Sequence, residues 1–181
     1  MSDRFALVLI KPSHYDDDGY VIQWFRSAIP ANSLACLYGL ALECAEEKVL
    51  GPDTEIVTYA FDETNTVIKI DEIAKLVRAG DNGMVMLVGV QSNQFPRALD
   101  IARPLRDMGI KVAIGGFHVS GTMAMLEQRD PYVQQALDMG VTLFAGEAEG
   151  RLGSVLIDAA MNALPPVYNY MDDLPNIEGV A

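Results

Sequence analysis

At 181 residues, with a net charge of −12 and half of its residues hydrophobic, the chain fits one domain with a real core and is not a disordered polyelectrolyte. Its acidity argues against nucleic acid or an anionic membrane surface as a partner, since neither polyanion gains by meeting another. No run approaches the ~20 apolar residues of a bilayer span, and the segment after Met1-Ser2-Asp3-Arg4 lacks a signal-peptide cleavage site, so a cytoplasmic location is expected.

Phe5-Ala6-Leu7-Val8-Leu9-Ile10 is a continuous apolar run ended by Lys11-Pro12, and it reads as a strand buried on both faces. A long connection from Ser13 to Pro30 follows, turning at Asp16-Asp17-Asp18-Gly19. Its latter part, Tyr20 to Phe25, is too aromatic for a plain solvated loop and is expected to dock on something or to pack in the core. Asn32 or Ser33 can cap a helix over about Leu34 to Lys48. Thr54 to Ala60 alternates polar and apolar residues, as a half-exposed edge strand should. A helix is expected from about Ile70 to Ala79, and Met84 to Val90 reads as an interior strand. The next helix starts near Pro96 and runs to about Met108, with Gly109 as its stop. Ile110 to Ile114 is the fourth strand, Thr122 to Met139 is helical or irregular, and Val141 to Phe144 is the fifth strand. A last helix covers about Glu149 to Asn162.

Strands alternating with helices imply a parallel sheet with right-handed crossovers. An edge-like second strand beside interior first and third strands suits a flavodoxin-like α/β fold, five strands in the order 2-1-3-4-5 with helices on both faces. Residues 1–163 make this domain. Residues 164–181, rich in proline and turn formers, read as a connector to something further. Cys36 and Cys44 fall in one helix, about 12 Å apart along its axis, too far to pair. Two cysteines also cannot supply a four-cysteine zinc site or a three-cysteine iron–sulfur motif.

Open parallel sheets bind ligands where strands break at their carboxyl edge. Two such breaks stand out, Gly115-Gly116-Phe117-His118 and Gly146-Glu147-Ala148-Glu149. Paired glycines let backbone approach a large flat or phosphorylated molecule closely. They equally make a tight strand-to-helix turn. His118 also reads as a buried polar residue bonded to backbone, and Glu147 and Glu149 as carboxylates favoured at a helix start. Lys11 reads as a solvated strand-end charge, and the methionines at 84, 86, 123, 125 and 139 as core filler. No Gly-x-Gly-x-x-Gly follows the first strand, which excludes the dinucleotide fingerprint. A single serine there is too little for a flavodoxin phosphate cradle. A phosphorylatable receiver domain needs an aspartate ending the third strand and a lysine ending the fifth, where this chain has Gln91-Ser92-Asn93 and Ala145-Gly146.

Taken together, Pro30 to Leu40 as a Pro-x-x-x-Leu-x-x-Leu-Gly-like helix opening, Gly-Gly-x-His at 115–118, Gly-Glu-x-Glu at 146–149 and Leu174-Pro175-Asn176-Ile177-Glu178-Gly179 as a connector resemble one family. In this order they are similar to the amino-terminal cobalamin-binding domain of cobalamin-dependent radical-SAM proteins, over essentially the whole chain. The resemblance implies a corrin lying over the sheet's carboxyl edge, with its dimethylbenzimidazole tail swung off cobalt and inserted between strand ends. It implies cofactor contacts from Pro12, Ser92, Asn93, Gly115, Gly116, Phe117, His118, Gly146 and Glu147. It also implies a radical-SAM domain, in cis or in trans, carrying a [4Fe-4S] cluster and S-adenosylmethionine that this chain alone does not bind. The parent would be a methyltransferase-type enzyme and this chain its non-catalytic cofactor module. A stand-alone corrinoid carrier or sensor, or a nucleotide-binding regulatory domain, is the alternative. The chain departs from the Asp-x-His-x-x-Gly of methionine-synthase-type carriers. If His14 takes the histidine's place, Pro12 stands where the orienting aspartate belongs and Asp17 where the glycine belongs. A cobalt site without a histidine ligand is therefore expected.

Overall fold

Among the described residues six parallel strands form one sheet, in the order β2-β1-β3-β4-β5-β6. The computed structural model describes residues 3–24, 31–125 and 130–172. In chain order the elements are β1 (Asp3–Lys11), α1 (Asn32–Glu46), β2 (Thr54–Asp62), α2 (Ile70–Arg78), β3 (Asn82–Leu87), α3 (Phe95–Asp107) and β4 (Lys111–Gly115). They continue with α4 (Phe117–Met125), α5 (Pro131–Asp138), β5 (Thr142–Ala145), α6 (Leu152–Ala160) and β6 (Val167–Asn169).

The alternation in each strand sends its side chains to two separate cores. Val8, Ile10, Val85, Leu87, Val112 and Ile114 face a cluster completed by α2, α3, α4 and α5. Phe5, Leu7, Leu9, Met84, Met86 and Ala113 face a second cluster completed by α1 and α6. Helices thus cover both faces, and β1, covered on both, is buried from Phe5 to Ile10, as its unbroken apolar run requires. β2 takes the edge its alternating pattern calls for. Gly109, at φ +78, ends α3 in the left-handed turn that favours glycine.

Three expectations need correction. The sheet has a sixth strand: Val167, Tyr168 and Asn169 pair in parallel with Leu143, Phe144 and Ala145. This lies within the stretch read as connector, so the folded sheet runs past residue 163. Neither Asn32 nor Ser33 caps α1. Ala31 occupies the cap position without a side-chain hydrogen bond, and both polar residues sit in the helix's first turn. In the stretch expected to be helical or irregular, 122–139, the described residues do form the end of α4 and all of α5, whose cap is Asp130, accepting from the backbone N–H groups of Tyr132 and Val133. Finally, α6 begins at Leu152, so Glu147 and Glu149 lie in the loop before it rather than in its first turn. Phe25 to Pro30 and the connector-like motif at 174–179 lie outside the described residues.

Candidate functional site

The β3, β4 and β5 ends, the first two turns of α1 and the start of α6 enclose a cavity of about 350 Å³. That volume is within the range of small-molecule sites. It lies on the α1/α6 face of the sheet and opens at the carboxyl edge. The helices produce it by being tight in one place and apart in another. α6 packs closely beside α1 at Gly153, where a Cβ would make ordinary contact with Val49 at 3.4 Å and the Cys44 sulfur at 3.9 Å. Toward its amino end α1 leaves the gap.

The floor and walls are the buried side chains of Met86, Val88, Ala113, Thr142, Leu152, Val155 and Tyr168, with Phe144 half-buried beside them. The mouth is polar: Asn32, Ser33 and Cys36 from α1 face Glu147 and Glu149 from the β5–α6 loop, all of them exposed. Cys36 donates to Glu149 Oε1 across 3.5 Å, so the mouth is spanned by this contact. Among the described residues no lysine, arginine or histidine lines the cavity. Burial pushes the Cys36 thiol above its usual range, as do its bond to Glu149 and the charges of Glu149, Glu147 and Glu43. Ala31, at the cap position of α1, makes no side-chain hydrogen bond to the first-turn N–H groups, and that turn itself holds no acidic residue. Those N–H groups therefore form the electropositive side of an otherwise acidic mouth.

Of the nine residues expected to touch a cofactor, Gly115, Gly116, Gly146 and Glu147 line this cavity. The glycines do not, however, all leave room for a ligand. A Cβ on Gly116, at φ +140, would stand 2.2 Å from the backbone nitrogen of Val90 and 2.7 Å from the carbonyl carbon of Gly89. That space is filled by the chain itself, stitched in place by Val90 N–H to Gly115 O and His118 N–H to Val90 O, both 3.1 Å. A Cβ on Gly115 would make ordinary contact with Phe144 at 3.4 Å. Gly146 admits Tyr170 in the same manner as Gly116 admits residues 89–90, with its missing Cβ 3.0 Å from that side chain. The cavity comes from the spacing of α1 and α6, not from a groove carved by absent side chains at 115 and 116.

Pro12, Ser92, Asn93, Phe117 and His118 do not line the cavity. Pro12 is buried at the start of the β1–α1 loop. That loop is pinned by a bidentate ion pair between Glu63, 1% exposed, and Arg97, at 2.6 Å. Glu63 also accepts the Ser13 N–H at 3.0 Å. His14 sits in a small hairpin there, its carbonyl accepting the Ile22 N–H and Tyr15 bridging Val21. Ser92 and Asn93 are exposed at the start of the turn into α3, and Phe117 is 72% exposed. His118 is buried against Phe95, ring centroids 4.4 Å apart, on the other core. Its Nδ1 is 3.1 Å from Ser92 Oγ, and its Nε2, buried without a hydrogen bond, is 3.7 Å from Asp130. Its partner is thus a side chain, not the backbone. Trp24 and Tyr20, at 63% and 73% exposure, stand in the loop at the same edge of the sheet and are not core.

The sequence reading missed the α1 contribution of Asn32, Ser33 and Cys36 as well as the Tyr168 wall. No local pattern announces a helix that stands off its sheet, and β6 is too short for periodicity to reveal. Among the described residues no group of three or more His, Cys, Asp or Glu is placed to hold a metal ion, and no helix is long and apolar enough to cross a membrane. No family model, curated protein or solved structure matches the chain. What the site does must be argued from its own chemistry and from the motif resemblance.

Proposed function

We propose that the chain binds cobalamin with its lower base detached from cobalt and held in the α1/α6 cavity, as the cofactor module of a radical-SAM enzyme of methyltransferase type. The observation that carries this is the pairing of an apolar cavity at the strand ends with the amino end of a 15-residue helix at its mouth, whose cap residue Ala31 offers no side-chain acceptor. A nucleotide tail needs both: a dry slot for the fused ring, and N–H donors for the phosphate that joins it to the corrin. The cavity is too small for a corrin ring, which would lie outside it, over the strand ends. Glu147 and Glu149 give the phosphate no help, so its attraction would come from the α1 amides and from the Asn32 and Ser33 side chains.

When bound, the corrinoid would supply cobalt-centred methyl or redox chemistry; the chain's residues would orient it and keep water from the base. The absence of an acid at position 12 and the position of His14 in a pinned hairpin support a cobalt site without a histidine ligand. A free nucleotide fits the same cavity and helix end, which keeps a nucleotide-binding regulatory domain as the second reading. Filling the cavity separates specific binding from surface adsorption. Ala113 is 5% exposed on the floor, and Ala113→Leu should abolish co-elution of hydroxocobalamin with the protein on gel filtration while leaving its circular dichroism unchanged. Retention of cobalamin by a folded Ala113→Leu protein would refute the placement, and tighter binding of adenosine monophosphate than of cobalamin would favour the second reading.

A further inference from the structure

The side chains on the buried part of the cavity have no free hydrogen-bond donor to offer. Thr142 and Tyr168 are its polar side chains, and both hydroxyl hydrogens are already given away. Thr142 donates to the Pro165 carbonyl at 3.0 Å, and Tyr168 donates to Asp158. Around them stand Met86, Ala113, Leu152 and Val155, all hydrocarbon or thioether. The remaining polar lining side chains are exposed at the mouth.

From this we infer that the site selects among corrinoids by their lower base, favouring a fused ring with a hydrocarbon edge over a purine. The inference rests on the base-in-cavity reading above. Adenine presents ring nitrogens and an exocyclic amine where dimethylbenzimidazole presents C–H and methyl groups. In water those nitrogens accept hydrogen bonds. On this floor they find no side-chain donor, and a buried acceptor without a partner bears the full cost of its desolvation. An apolar pocket discriminates against an added polar group on the order of 10- to 100-fold.

The test compares cobalamin, a corrinoid carrying adenine as its lower base, and cobinamide, which has no base. All are reduced to the four-coordinate cobalt(I) state, in which neither base is bound to the metal, and binding is measured by anaerobic equilibrium dialysis. The expected order is cobalamin tightest, with the adenine corrinoid on the order of 10- to 100-fold weaker. Equal binding of those two, both tighter than cobinamide, would overturn the selectivity and leave base insertion standing. Equal binding of all three would overturn base insertion and the selectivity with it, and no binding of any would refute the corrinoid reading as a whole. Leu152→Gln, which brings an amide donor onto the wall, should narrow the gap between the two bases. An unchanged gap in that variant would contradict missing donors as its cause.

Discussion

Replacing each of the adjacent glycines by alanine separates two jobs that look alike in sequence. At Gly116 the substituent enters backbone at φ +140, where a Cβ would lie 2.2 Å from the Val90 nitrogen. The conformational strain costs about 1–3 kcal/mol and the displacement of residues 89–90 about 1–3 kcal/mol more. Together they remove a large part of the ~5–15 kcal/mol that holds a domain folded. At Gly115 the added methyl meets Phe144 at 3.4 Å, and the lower entropy of the unfolded chain offsets crowding to within ~1 kcal/mol. Urea denaturation of the free protein, followed by far-ultraviolet circular dichroism, reads both values. Gly116→Ala should lower the midpoint sharply and Gly115→Ala hardly at all. If Gly116→Ala cost less than ~1 kcal/mol, or matched Gly115→Ala, the assignment of Gly116 to backbone packing would be wrong.

Other perturbations act on separate parts of the molecule. Glu63→Ala leaves Arg97 charged and half-buried and the Ser13 N–H without its acceptor, so it should cost about 3–5 kcal/mol in chemical denaturation; a loss under ~1 kcal/mol would show the pair to be ornamental. Cys36, exposed but with its thiol held above the usual range, should react slowly with iodoacetamide near neutral pH. Glu149→Gln should speed that reaction, and an unchanged rate would rule out the Glu149 contact as a cause. Burial and its bond to Asp158 raise the Tyr168 phenol well above its ordinary 10.0. The folded protein therefore keeps a proton that the unfolded chain releases, so this contribution to stability is complete below pH 10 and is lost as pH rises toward the folded value. Denaturation midpoints above pH 10 should fall less steeply in Tyr168→Phe than in the parent; equal slopes would contradict the assignment.

Much of the architecture was legible because β1 and β3 are unbroken apolar runs and β2 alternates, which sets interior against edge before any pairing is known. The loss of β6 has a simple reason: three residues after Pro165-Pro166 carry no period, and they become a strand because β5 leaves an edge to pair with. The glycine motifs were legible as strand-to-helix breaks, yet their chemistry was not. Whether a missing Cβ faces a ligand or the chain's own backbone depends on where residues 89–90 run, and that is a long-range fact. His118 misled for a related reason. One residue past the helix start it turns toward Phe95 and Ser92, onto the opposite side of the sheet from the cavity. Conversely, Asn32 and Ser33 resembled caps because their side chains suit that role, although the chain places them one and two residues inside the helix.

The visible spectrum of the protein after incubation with hydroxocobalamin and removal of free vitamin tests the central claim most directly. Retained colour near one corrinoid per chain, with the spectrum of a detached base and no change in His14→Ala, is the predicted result. A colourless protein, or cobalt ligation that disappears with His14, would contradict it.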